Sequence, residues 1–132
     1  MLNLNIAKKE YANFEGVLSK WTKTYQVVDL LTEVLENKTV KADLLDKILA
    51  KEERQFLFVE LSEQPANVLA KFLIEGYPYI EGVHPKEFAK GRYMLNPLYN
   101  LFFTRDASSS VYDQVLIHSM STDVRDRESY IM

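Results

Sequence analysis

Apolar positions in the first part of the chain recur at steps of three and four. Ala7, Tyr11, Phe14, Val17, Leu18 and Trp21 share one face between residues 3 and 22, with Lys8, Lys9, Glu15 and Lys20 opposite. The pattern predicts an amphipathic helix that packs on a core. Tyr25-Gln26-Val27-Val28 is short and β-branched, and predicts a buried strand.

Residues 29–75 are helical in pattern. Leu30, Leu31, Val34 and Leu35 form a first stripe, which Asn37-Lys38-Thr39 interrupts, with Thr39 as the expected cap of the next helix. That helix carries Val40, Leu44, Leu45, Ile48 and Leu49, with Asp43 and Lys47 as an i,i+4 pair. A stripe of Phe56, Leu57, Val59 and Leu61 follows. Pro65 suits a first helical turn, and Val68, Leu69, Phe72 and Leu73 run up to a stop at Gly76. Several short helices in a row predict a small bundle.

From Tyr77 to Pro97 the chain is rich in breakers and aromatics. Two strands are then predicted, Leu101–Thr104 and Val111–His118, separated by the polar turn Arg105–Ser110. A last helix is predicted from Val124 to Met132, capped by Ser121, Thr122 or Asp123.

Composition narrows the classes. The 132 residues suffice for one ordinary domain, and 16 Lys plus Arg against 19 Asp plus Glu give a net charge of −3. A slightly acidic chain has no general attraction for phosphate backbones, so no nucleic-acid partner is expected. There is no Cys, which removes disulfides, thiolate metal sites and a cysteine nucleophile from this chain. With His84 and His118 the only histidines, no metal site is expected. No leader and no apolar run near the roughly 20 residues of a membrane span is visible, so the expected compartment is the cytoplasm. Both ends read as cut: periodicity begins at Leu2, and Arg127–Met132 opens a helix that stops.

Few residues offer chemistry. Asp106 follows an apolar segment in a loop of small residues. It suits a turn residue bonding its own backbone, or a carboxylate that grips a guanidinium through two parallel bonds. Arg125, Arg127 and Glu128 near a helix start suit an anion site or surface ion pairs. His84 reads as exposed and His118 as structural.

The run Asn100-Leu101-Phe102-Phe103-Thr104-Arg105-Asp106 resembles the strand-and-loop signature of bacterial arginine deiminases, Asn-Leu-Tyr-Phe-Thr-Arg-Asp. The likeness continues through Val115–Met120 and Arg125-Asp126-Arg127-Glu128, and upstream through Ile6–Phe14 and Tyr25–Leu31. The stretch from Leu35 to Gly76 falls where that family inserts a helical bundle. Where the family has Pro-Phe and a glycine-rich turn after the motif, this chain has Ala107-Ser108-Ser109-Ser110.

The resemblance implies an α/β fold, part of the five-bladed propeller (pentein) of guanidino-group-modifying enzymes. Residues 1–36 would end a first αβ module, 37–90 would be the helical insertion, and 91–132 would start a second module. The family converts arginine to citrulline and ammonia through a covalent cysteine intermediate. By carry-over Asp106 grips the substrate guanidinium, Asn100 and Phe103 contact substrate, and Arg125 binds its carboxylate. The family's thiol, histidine and second carboxylate match nothing here, so no catalytic residue is expected in this chain, and no cofactor. The expected partner is a small guanidino compound, with homo-oligomerisation left open. A non-catalytic helical interaction module and a divergent amidinotransferase are the alternatives.

Overall fold

The computed structural model describes residues 3–89 and 91–132, with the side chains of Asp123 and Val124 left undescribed. Asn3 starts the first helix. Its side-chain oxygen accepts from the N–H groups of Asn5 (3.1 Å) and Ile6 (3.4 Å), and α1 runs Leu4–Leu18. No residue of α1 is buried, and Trp21 just beyond it is 86% exposed. The apolar stripe expected to face a core therefore lies open to solvent.

The strand expected at Tyr25–Val28 does not form. Val27 and Val28 open α2 (Val27–Leu35) instead. Val27, Leu31 and Leu35 stand four apart, and the last two are buried. Two β-branched residues are too short a run to outweigh that helical period.

Asn37, rather than Thr39, caps α3 (Lys38–Lys51), accepting from Thr39 N–H at 3.0 Å and Val40 N–H at 3.3 Å. The helix ends with Glu53 at φ 57, where Glu53 N–H donates to Ala50 O (3.2 Å) and Arg54 N–H to Leu49 O (2.8 Å). That is the Schellman closure, which normally places Gly where Glu53 stands. A 3₁₀ turn at Gln55–Leu57 leads into α4 (Phe58–Ser62). Pro65 takes the cap position of α5 (Ala66–Glu75), one residue ahead of the expected place. α5 packs on α2, and Leu35, Leu45, Ile48, Leu49, Leu61, Leu69 and Leu73 close the core.

Gly76 then turns the chain with φ 96, and a Cβ there would meet Pro97 Cδ and Tyr93 Cδ1 at 2.9 Å. The turn feeds β1 (Tyr77–Pro78), which pairs antiparallel with β2 (Tyr93–Leu95) and seats Met94 and Leu95 in the core. Between these strands His84 is buried, against the expectation that it is exposed. The Ile80 N–H donates to its Nδ1 at 3.0 Å, so in the neutral ring the proton sits on Nε2, which faces Glu60 Oε2 at 3.2 Å. Tyr77 also donates its hydroxyl to Glu60. Burial first, and the Glu60 carboxylate second, raise the Tyr77 phenol above its usual value.

The strand expected at Leu101–Thr104 is a series of turns. Strand structure begins later, in a hairpin of β3 (Ser108–Val111) and β4 (Gln114–Ile117) that pairs Ser108 with Ile117 and Val111 with Gln114. Part of the predicted polar turn is thus strand, and the predicted single strand 111–118 contains the reversal at Tyr112-Asp113. The last helix, α6 (Asp123–Ile131), has Thr122 at its cap position. The described residues form a mixed α/β structure, mostly helical, with two small two-stranded sheets. Among the described residues no helix is long and apolar enough to cross a membrane.

Gly76→Ala should cost about 2–4 kcal/mol, since it adds a clash to a backbone conformation only glycine adopts readily. Glu53→Gly should stabilise by about 0.5–1 kcal/mol by relieving the left-handed residue. Urea unfolding of both variants reads the two signs.

The raised Tyr77 phenol predicts a pH effect. Below about pH 10 both folded and unfolded states keep the phenolic proton. Above it the unfolded chain releases the proton while the folded chain holds it, so stability falls with a slope approaching about 1.4 kcal/mol per pH unit. Tyr77→Phe should remove that part of the slope, seen as unfolding curves of the two proteins that converge with rising pH.

Candidate functional site

Leu98 and Leu101 are buried, and Leu98 N–H donates to the Ile74 carbonyl at 2.9 Å. These contacts tether the segment after β2 to the end of α5. From there the chain turns repeatedly. Phe103 N–H bonds Asn100 O (3.0 Å) and Asp106 N–H bonds Phe103 O (3.1 Å). Asp106 is delivered at the end of these turns, directly before buried Ala107.

His118 holds Asp106 from the far side of the hairpin. Its backbone N–H donates to Ala107 O at 2.9 Å, and its ring Nδ1 lies 2.7 Å from Asp106 O. A carbonyl can only accept, so in the neutral ring the proton sits on Nδ1, and Nε2 accepts the Ser109 hydroxyl at 2.9 Å. The structural role expected of His118 is thus specific: it fixes the backbone that presents the Asp106 carboxylate.

Helix α6 supplies the opposite charge. Arg125 Nη1 donates to Asp106 Oδ2 at 3.0 Å, while its Nε donates to Glu128 Oε2 at 2.9 Å. The bond to Glu128, and then the one to Asp106, raise the Arg125 guanidinium above its usual value. Glu128 lies one helical turn on from Arg125, which is why the guanidinium that meets Asp106 also reaches this carboxylate.

Arg127 and Glu128 are not the surface pairs the sequence suggested, being 4% and 2% exposed. Arg127 donates to the Asn96 carbonyl and lies 3.6 Å from Glu52. Burial lowers its guanidinium below the usual value, against the opposing pull of Glu52. Lys51 pairs with Asp126 at 2.8 Å. Together these bonds clamp α6 to the end of α3.

Arg105, Asp106, His118, Ser119, Met120, Ser121 and Arg125 line an open cleft of about 520 Å³. Asp106 has a side chain 49% exposed there. The structure therefore brings together Asp106 and Arg125. Asn100 and Phe103 lie on the loop that presents Asp106 and do not line this cleft. Phe103 lies against Phe102, with ring centres 3.9 Å apart and the rings tilted by 39°. The sequence offered Arg125 and Glu128 as members of a surface ion pair and gave no signal for the burial of Glu128 or for the His118 bond to Asp106 O. A second hollow of about 540 Å³ between α2, α3 and the end of α6 is mostly apolar, and the Asp43 and Lys47 that border it are paired with each other. Among the described residues no three His, Cys, Asp or Glu are arranged to hold a metal ion.

His118→Leu should loosen the Asp106 turn without unfolding the bundle. Amide exchange at Asp106 should accelerate about five- to tenfold, the net worth of one hydrogen bond of about 1–1.5 kcal/mol. Exchange at Leu45 and Ile48 should not change.

Comparison with known proteins matches the chain, over residues 1–132, to a family described as arginine deiminase. Arginine deiminases of Staphylococcus aureus strains JH9, Newman and COL are each 31% identical to it, over 96% of this chain and 34% of theirs. The chain thus spans about a third of the length of the curated relatives it matches. No solved structure matches it.

Proposed function

The chain belongs to the arginine deiminase family, and on that premise we propose that it forms the substrate-anchoring part of a hydrolase that converts arginine to citrulline and ammonia. The observation that carries the reading is the meeting of Asp106 and Arg125 in one open cleft. A carboxylate suits the guanidinium of arginine and a guanidinium suits its α-carboxylate, each through charge-assisted hydrogen bonds. Asp106 takes the first role and Arg125 the second. Asn100 and Phe103 are assigned to the substrate pocket on the family motif, a role they would fill only with the Asn100–Arg105 loop turned toward the cleft.

The chemistry needs a thiolate to attack the guanidinium carbon, and this chain has no Cys. The nucleophile is therefore assigned to a part of the enzyme outside these 132 residues, together with the general base. The reading places the chain in the five-bladed α/β propeller of the guanidino-modifying enzymes and in the cytoplasm. Its division into 1–36, 37–90 and 91–132 follows the same reading. α2 belongs to the first of these parts and packs its Leu31 and Leu35 into the core it shares with the inserted helices.

Purified chain should release no citrulline from arginine above a boiled control. In a complete enzyme carrying this segment, Asp106→Asn keeps the shape and removes the charge. It should lower kcat/KM at least about 100-fold, the order of a buried hydrogen-bonded charge pair that has lost one partner. Near-parental kcat/KM in a folded Asp106→Asn enzyme would remove the anchor role.

A further inference from the structure

We propose that the Asp106–Arg125 pair is a closed form of the anchoring subsite, in which Arg125 is an internal guanidinium that a ligand must displace, and that this exchange selects ligands carrying both a guanidinium and a carboxylate. The inference rests on the reading of Asp106 as a guanidinium anchor.

The group that occupies Asp106 in the structure is chemically the head of the expected substrate. Arg125 Nη1 sits 3.0 Å from Asp106 Oδ2. Arginine separates its own guanidinium from its carboxylate by three methylenes and the α-carbon. It cannot be held at both ends while its two anchors touch each other. Binding therefore requires the pair to open.

Glu128 makes opening feasible. Its carboxylate is buried, and its Oε2 lies 2.9 Å from both Nε and Nη2 of Arg125. When Nη1 leaves Asp106, the guanidinium keeps this second partner and is not left uncompensated. Arg125 can pivot about Glu128 while Asp106 takes a new cation. The cleft gives room for the exchange, since the Asp106 side chain is half exposed and Ser119, Met120 and Ser121 border it.

Selectivity follows from what each ligand returns. A simple guanidinium replaces one ion pair at Asp106 by another of the same kind and offers Arg125 nothing. A ligand that also carries a carboxylate restores to Arg125 what it lost. A closed form occupied about nine-tenths of the time weakens any ligand of Asp106 by about tenfold. Only the two-ended ligand recovers that factor through its own contacts. Arg125 is thus a specificity-determining residue in two ways, as the carboxylate anchor and as the competitor that penalises ligands lacking one.

Titration of the isotopically labelled 132-residue chain with L-arginine and with methylguanidinium, followed by NMR at Asp106, tests this. The unaltered chain should bind L-arginine at least about tenfold more tightly than methylguanidinium. Arg125→Gln should tighten methylguanidinium about five- to tenfold and weaken L-arginine, so that the preference collapses. Arg125→Lys keeps a charge beside Glu128 but cannot span both carboxylates, and should shift both affinities in the same directions by less. This guards against a folding defect in the Gln variant. If both variants bind methylguanidinium no better than the unaltered chain does, the exchange is overturned while the anchor reading stands. If neither ligand moves the Asp106 signals in any of the three proteins, or if Asp106→Asn binds both ligands unchanged, the anchor reading falls and the exchange with it.

Discussion

The site depends on a leucine core to which it contributes no side chain. Leu31 and Leu35 of α2, Leu45, Ile48 and Leu49 of α3, and Leu69 and Leu73 of α5 share it, with α2 packed directly on α5. Met94 and Leu95 of β2 enter the same core and bring the chain back to it before the segment that carries the site. The Gly76 turn is what lets the chain leave α5 and return as a strand pair close to the helix it came from. Burial of this apolar area is the main favourable term, and the short β elements add registration more than energy.

From the core, two polar tethers reach the cleft. Leu98 N–H to Ile74 O starts the loop that ends at Asp106, and Arg127 anchors α6 against Asn96 and the end of α3. A buried guanidinium is costly to desolvate, which lowers its proton affinity here, and it is held by a backbone carbonyl and Glu52. The two anchors are therefore positioned by separate tethers to one rigid body. This is the arrangement that catalytic and binding sites need, with each group carried by its own attachment to a packed scaffold.

Much of this was legible in the sequence where a single local rule governs. The helical periods of α2 to α5 and the stop at Gly76 follow from spacing and from glycine's backbone freedom, and the motif around Asp106 pointed to the family. The sequence misled where two rules compete. Tyr25–Val28 has strand composition but lies in register with the α2 stripe, and the stripe prevailed. Leu101–Thr104 is apolar, yet two of its members, Phe102 and Phe103, are exposed and only Leu101 is buried. Apolar character alone therefore did not mark a strand. The burial of His84 and Arg127 was invisible because their partners, Glu60 and Asn96, are set by tertiary packing. Even the i,i+3 spacing of Arg125 and Glu128 does not say which side of α6 faces inward.

That facing has a mechanical side. Arg125 and Arg127 are two residues apart on one helix, about 200° around its axis, so one points to the cleft because the other points to the bundle. The buried arginine acts as an axle key for its neighbour. Any change that lets α6 roll, such as a shift of Glu52 or of the Asn96 carbonyl, would swing the Arg125 guanidinium sideways across the cleft mouth. Residues that never touch a ligand, at the tip of α3, thereby become steering elements for the one that does.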